Sequence, residues 1–166
     1  MSIVLARIDN RLIHGQVLES WVPHTRANCI VVASDSLAAL PMQKLLMKAA
    51  VPKGIRVEIE SVEMASQLIG SREMAGSRIL VLFSTSADSL HAYQLGMGFE
   101  ELNLGNMHGG EGKIRVSCTL ALDEEDVQNL RCLEEGGVHI VSQCFPSDRK
   151  LNWEKLIPVQ KKQYGL

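Results

Sequence analysis

Ile3-Val4-Leu5-Ala6-Arg7-Ile8-Asp9-Asn10-Arg11-Leu12-Ile13-His14-Gly15-Gln16-Val17-Leu18-Glu19-Ser20-Trp21-Val22 is the stretch on which the reading of this chain turns. Its apolar start, Ile3 to Ile8, reads as a buried strand, and Gly15 to Val22 carries a helical pattern. The residues between them form a strand-to-helix turn. That turn holds one histidine, with two arginines and an aspartate before it and a glycine after it. In a parallel α/β sheet such a turn opens at the carboxyl edge, where ligands gather.

Outward from this stretch, apolar runs alternate with amphipathic ones. Strands are expected over Ile3 to Ile8, Cys29 to Ala33, Ile55 to Ile59, Ile79 to Phe83, Glu101 to Leu104, Ile114 to Cys118 and Val138 to Ser142. Helices are expected over Gly15 to Val22, Leu37 to Ala50, Val62 to Ile69, Ser86 to Leu95 and Glu124 to Glu134. The alternation predicts an α/β fold, a single-domain open twisted mostly parallel sheet with helices on both faces, over residues 1–166. Ile79-Leu80-Val81-Leu82-Phe83 is apolar throughout, as a strand buried on both faces is. Ser36 is expected to open the second helix, with Pro52 and Gly54 closing it, and Asp123 to cap the last before Gly136-Gly137 ends it. Ser84-Thr85-Ser86 reads as a capping turn at the same sheet edge as the histidine. Met42, Met47 and Met64 fall at helical spacing among leucines and read as core. Trp153 to Ile157 reads as a short helix, and Lys161-Lys162 as a solvated end.

Composition narrows the function. A chain of 166 residues with 46% hydrophobic and 22% charged residues is an ordinary globular domain. A net charge of -2 gives no footprint for nucleic acid or anionic lipid. No apolar run approaches the ~20 residues of a membrane span, and no basic leader precedes Ile3, so neither direct membrane insertion nor a signal peptide is expected. The four cysteines, Cys29, Cys118, Cys132 and Cys144, form no Cys-x-x-Cys pair and no zinc-like spacing. They read as reduced, mostly buried thiols of a cytoplasmic protein.

The chemistry centres on His14. A neutral imidazole is nucleophilic near neutral pH and can also act as acid, base or ligand. Gly15 leaves room for close approach, and the amides at the start of the Gln16 helix attract an anion. Arg11 offers a planar fork of donors and Arg7 a longer-range positive field. Asp9 could fix the imidazole tautomer or hold Arg11 in place. A second candidate loop, Leu104-Gly105-Asn106-Met107-His108-Gly109-Gly110-Glu111-Gly112-Lys113, is rich in glycine but lacks the spacing of a P-loop or a dinucleotide fingerprint. There Asn106 or His108 could border His14. His24, His91 and His139 have no clustered acids or cysteines. No Gly-x-Ser-x-Gly elbow is present.

Arg7 to Val17 resembles the signature of the IIB components of the mannose/fructose/sorbose-type bacterial sugar phosphotransferase system, with Asn10 where the family usually has aspartate. The likeness continues through Val31-Val32-Ala33-Ser34-Asp35, Leu82-Phe83-Ser84-Thr85 and the 104–113 loop, which is similar to the N-acetylgalactosamine-type members. Cys144-Phe145-Pro146-Ser147-Asp148-Arg149-Lys150 is less typical of it. The resemblance implies a phosphoryl relay without metal or cofactor. His14 takes phosphate on Nδ1 from a IIA phosphohistidine and passes it to a hexose or amino sugar carried by membrane IIC and IID subunits. It matches Arg11 to a phosphate-contacting arginine and Asp9, Gly15 and Gln16 to the same active loop. The expected histidine protrudes from an open surface. The alternative is a IIB-like regulatory module whose His14 phosphorylation state signals to a partner without sugar transport. A third class, a nucleotide-binding α/β protein, lacks the spacing it needs.

Overall fold

The computed structural model describes residues 2–158. The main sheet has seven strands in the order β3-β2-β4-β1-β5-β8-β9. They are β1 (Ser2–Ile8), β2 (Cys29–Ala33), β3 (Arg56–Glu60), β4 (Arg78–Phe83), β5 (Glu101–Leu104), β8 (His139–Ser142) and β9 (Leu151–Asn152). All pair in parallel except β9, which runs antiparallel to β8. A separate two-stranded ribbon joins β6 (Ile114–Arg115) to β7 (Ala121–Leu122). Both faces of the sheet are covered, as the alternating pattern requires. Ala6, Ile8, Val31, Val81 and Phe83 pack on one side beneath α4 (Val62–Ile69), α5 (Ser86–Gln94) and α6 (Glu124–Glu135). Ile30, Val32, Leu80 and Leu82 pack on the other with Leu12, Trp21, Val22 and Leu37.

β1 is the central strand, so its carboxyl end delivers the Asp9 to His14 turn to the middle of the sheet edge. The helix that follows, α1, spans 15–25 and carries a π-helical turn over Val17–Trp21. The Val22 amide bonds Val17 O there, and Pro23, which has no amide hydrogen to donate, comes next.

Several expected elements differ. The 37–50 helix is two helices, α2 (Asp35–Ala38) and α3 (Pro41–Ala49). Leu40, pushed off helical angles by the following proline, separates them. Ser34 rather than Ser36 caps α2, accepting from the Leu37 amide. Asp123 caps α6 as expected, in a capping box closed by Asp126, and Thr85 caps α5. The strand expected to reach Cys118 ends at Arg115, because Val116 and Ser117 turn their amides onto Leu120 O. Met42 and Met64 are exposed and only Met47 packs on the core, so the methionine spacing does not mark the buried side. Cys118 and Cys132 are also exposed, against the expected burial. Residues 153–156 form a 3₁₀ turn with Trp153 fully buried. Lys161 and Lys162 lie outside the described residues.

Candidate functional site

Strand alternation points Ala6 and Ile8 to one face of the sheet and Arg7 to the other, beneath α1. Arg7 is wholly buried. Its five N–H donors all find acceptors. Nε donates to Asp9 Oδ2 at 3.2 Å. Nη1 donates to Asn103 Oδ1 and, at 2.8 Å, to Gln143 O. Nη2 donates to Gln16 Oε1 at 3.4 Å and Cys144 O at 3.3 Å. The Trp21 ring lies 5.1 Å from the guanidinium carbon. A buried cation is tolerated when its charge is paired and every donor satisfied. The guanidinium therefore acts as a floor that ties β1, β5, the segment after β8 and α1 into one unit.

Asp9 stands on this floor, also fully buried. Its Oδ2 accepts from Arg7, from Asn106 Nδ2 at 2.9 Å and from His14 Nε2 at 3.1 Å, and its Oδ1 accepts the Arg11 amide at 3.1 Å. Burial alone would raise the carboxyl pKa. The bonds from His14 and Asn106 and the charge of Arg7 outweigh burial and hold it below the ordinary value. An ionised carboxylate only accepts, so Nε2 of His14 carries the hydrogen and Nδ1 keeps the free lone pair. About a tenth of the His14 side chain reaches solvent. The ring is recessed in the edge of the sheet rather than protruding as expected, because Asp9 draws it down.

The turn between them is held open by one unusual residue. Leu12 has φ 55°, a left-handed conformation that costs a branched side chain about 1–2 kcal/mol. Its buried side chain, packed with the core beneath α1, and its amide on Asp9 O at 2.9 Å hold it there. His14 O in turn accepts the Val17 and Leu18 amides and starts α1.

Of the residues expected at the site, Asp9, His14, Gln16 and Asn106 come together. Asn106 Nδ2 also donates to Gln16 Oε1 at 3.1 Å, and its carbonyl accepts the Asn10 amide at 2.8 Å. Arg11 is fixed through its amide alone; its exposed guanidinium has no partner among the described residues. Gly15 is exposed with open space where a side chain would stand. His108 is exposed and joins none of these bonds. Arg7, expected to contribute only a distant field, is in direct contact.

Four participants went unread in the sequence. Cys144 O accepts from Arg7, from Gln16 Nε2 at 2.8 Å and from Trp21 Nε1 at 3.0 Å. Gln143 accepts from Asn103 Nδ2 through Oε1 and donates to Pro146 O and Asp148 O. Asn103 faces Arg7 across the β1–β5 register. Gly105 leaves the space that the guanidinium fills. The readable signal was a polar residue inside each of two apolar strands, Arg7 and Asn103. The site also lies apart from two cavities: one of about 390 Å³ is lined by Ile3, Val4, Leu5 and Phe99, and one of about 200 Å³ lies beside the ribbon and α6.

Comparison with known proteins gives this geometry a context. The family described as "PTS system sorbose subfamily IIB component" matches residues 3–165. The N-acetylgalactosamine-specific phosphotransferase enzyme IIB component 2 of Escherichia coli K12 is 35% identical over 156 residues, covering 94% of this chain and 99% of that one. The mannose-specific EIIAB component of the same strain is 32% identical over 157 residues, 95% of this chain but 49% of that protein, so the chain spans about half the length of that relative. Among solved structures, the IIBSor domain of the Klebsiella pneumoniae sorbose permease superposes with a TM-score of 0.90 at 31% identity, covering 94% of this chain and 96% of that one.

Proposed function

Because this chain belongs to the sorbose subfamily of phosphotransferase-system IIB components, we propose that it is a phosphoryl carrier working through His14. Residues 1–166 act as one IIB domain at the cytoplasmic side of a membrane. The donor is a phosphohistidine of a IIA protein or domain, and the acceptor is a hexose or amino sugar handled by membrane IIC and IID subunits. The observation that carries this reading is the bond from His14 Nε2 to the ionised Asp9, which leaves Nδ1 as the nucleophile.

The chemistry follows from that arrangement. The Nδ1 lone pair attacks phosphorus as the donor N–P bond breaks, so no proton has to leave His14 first. Phosphorylation places positive charge on the ring, and Asp9, anchored by Arg7 and Asn106, offsets it across the Nε2–H bond. The Arg11 guanidinium, without a partner among the described residues, is available to the phosphoryl oxygens. The Gly15 and Gln16 amides stand at the positive end of α1. In the second transfer the N–P bond breaks as the O–P bond to the sugar forms. Positioning and charge carry the catalysis.

Incubation with phosphoenolpyruvate and the upstream carriers, followed by mass spectrometry under mild alkaline conditions, tests this. One acid-labile phosphate on the peptide bearing His14, lost in His14→Ala, is expected. Undiminished labelling of His14→Ala would remove His14 from the role.

A further inference from the structure

Gln143 lies outside the active loop, in the segment after β8, and is buried. Its amide nitrogen donates to Pro146 O at 3.1 Å and to Asp148 O at 2.9 Å. Those carbonyls belong to a tight turn, closed by the Asp148 amide on Phe145 O at 3.0 Å and by the Phe145 amide on Asp148 Oδ2 at 2.8 Å. A carbonyl only accepts, so the NH2 end of the Gln143 side chain must face the turn. Its oxygen is left facing Asn103, whose Nδ2 donates to it at 3.2 Å. Asn103 then has one orientation too: its oxygen faces Arg7 and accepts from Nη1. Nη1 also donates to the backbone carbonyl of Gln143 itself, at 2.8 Å. Both acceptors of Nη1 are therefore set by one residue. From Arg7 the chain of bonds runs through Nε to Asp9 Oδ2 and on to His14 Nε2.

We propose that Gln143 is a positioning residue of the phosphoryl relay, fixing the His14 tautomer through Asn103, Arg7 and Asp9. The inference deepens the phosphoryl-carrier reading and rests on it. Asn103 is buried, and among the described residues its side chain bonds Arg7 and Gln143. Removing the Gln143 amide leaves Asn103 Nδ2 a buried donor without an acceptor. The relief open to it is rotation toward another carbonyl, which takes its oxygen off Arg7. Because the guanidinium is a rigid plane, a shift at Nη1 is also a shift at Nε, where it meets Asp9. Asp9 Oδ2 is the atom that receives His14 Nε2. Its placement decides which ring nitrogen keeps the hydrogen and which keeps the lone pair. A role in stability alone would leave the tautomer and the chemical step as they are.

The test is Gln143→Met, which keeps the length of the side chain and removes the amide. Its control is Val127→Ala, a core truncation on α6 that touches none of these bonds; thermal midpoints rank the two stabilities. Nitrogen-15 NMR of the unphosphorylated imidazole reads the tautomer, with the His14 signals assigned by their loss in His14→Ala. The parent should hold the hydrogen on Nε2, and Gln143→Met should show a measurable share on Nδ1. Single-turnover transfer from the phosphorylated IIA donor should slow about tenfold or more at saturating donor, with the half-saturating concentration unchanged. Val127→Ala should keep the parent tautomer and the parent saturating rate. Asn103→Ser opens the chain one link nearer to Arg7 and should repeat the Gln143→Met result; it takes the place of that variant should the latter not fold. A parental tautomer or a parental saturating rate in Gln143→Met would overturn the inference. So would the same losses in Val127→Ala, or a change confined to the half-saturating concentration. Failure of the carrier reading shows separately, as a parent His14 that takes no phosphate, and the tautomer comparison, which needs no donor, still decides the link from Gln143.

Discussion

Gly105 and Arg7 occupy one space between them: a β-carbon built on Gly105 would overlap the guanidinium carbon and Nη2 of Arg7. The guanidinium is walled in by its five acceptors and by Trp21, so it cannot swing aside cheaply. Gly105→Ala should cost about 1–3 kcal/mol, the usual range for overpacking. The loss should shrink in an Arg7→Met background, where the planar group is gone. A double-mutant cycle by urea denaturation measures the coupling; strictly additive losses would mean that the two residues do not interact.

Asp9 makes stability depend on pH in a definite direction. Its folded pKa is lower than the ordinary carboxylate value of about 3.9. A depressed pKa stabilises the fold above the ordinary value, and that contribution drains as pH falls through the folded value. Asp9→Asn leaves Arg7 as a buried unpaired cation and should cost about 3 kcal/mol near neutrality. The gap between parent and variant should narrow as the solution is acidified below about pH 4. Urea midpoints across pH 3–7 give the comparison; a gap that widens toward acid would contradict the sign.

Trp21 bonds the Cys144 carbonyl through Nε1, and phenylalanine keeps an aromatic face for Arg7 without that donor. Trp21→Phe should lose about 1 kcal/mol, a fall of about 2–4 °C in the thermal midpoint for a chain of this size. A scanning calorimetry trace identical to the parent would show that Arg7 and Gln16 alone hold that carbonyl.

Arg11 separates function from stability. Its guanidinium is exposed and has no internal partner among the described residues, so Arg11→Gln should change stability by no more than about 0.5 kcal/mol. Phosphoryl transfer, followed by rapid quench from the phosphorylated donor, should slow by at least about tenfold. A normal rate would take Arg11 out of the site.

The order of strands and helices, the placement of His14 between β1 and α1, and the neighbourhood of Asp9, Arg11 and Gln16 were all legible in the sequence. They depend on hydrophobic periodicity and on residues a few positions apart, and local patterning carries both. The junction of Asn106 with Asp9 and Gln16 was legible only as a loop that could border His14, since which strand lies next to β1 is a matter of topology.

Tertiary structure alone decided the rest. Arg7 reads as one more charge near the loop until β5 places Asn103 opposite it and the segment after β8 brings the Gln143 and Cys144 carbonyls. Those partners lie 96 to 137 positions away, and backbone carbonyls leave no trace in a residue pattern. The amphipathic stripe of α3 likewise shows its period in the sequence but not its direction. Which side of a helix meets the sheet is set by its neighbours in three dimensions, and here Met42, Leu45 and Leu46 are left facing solvent.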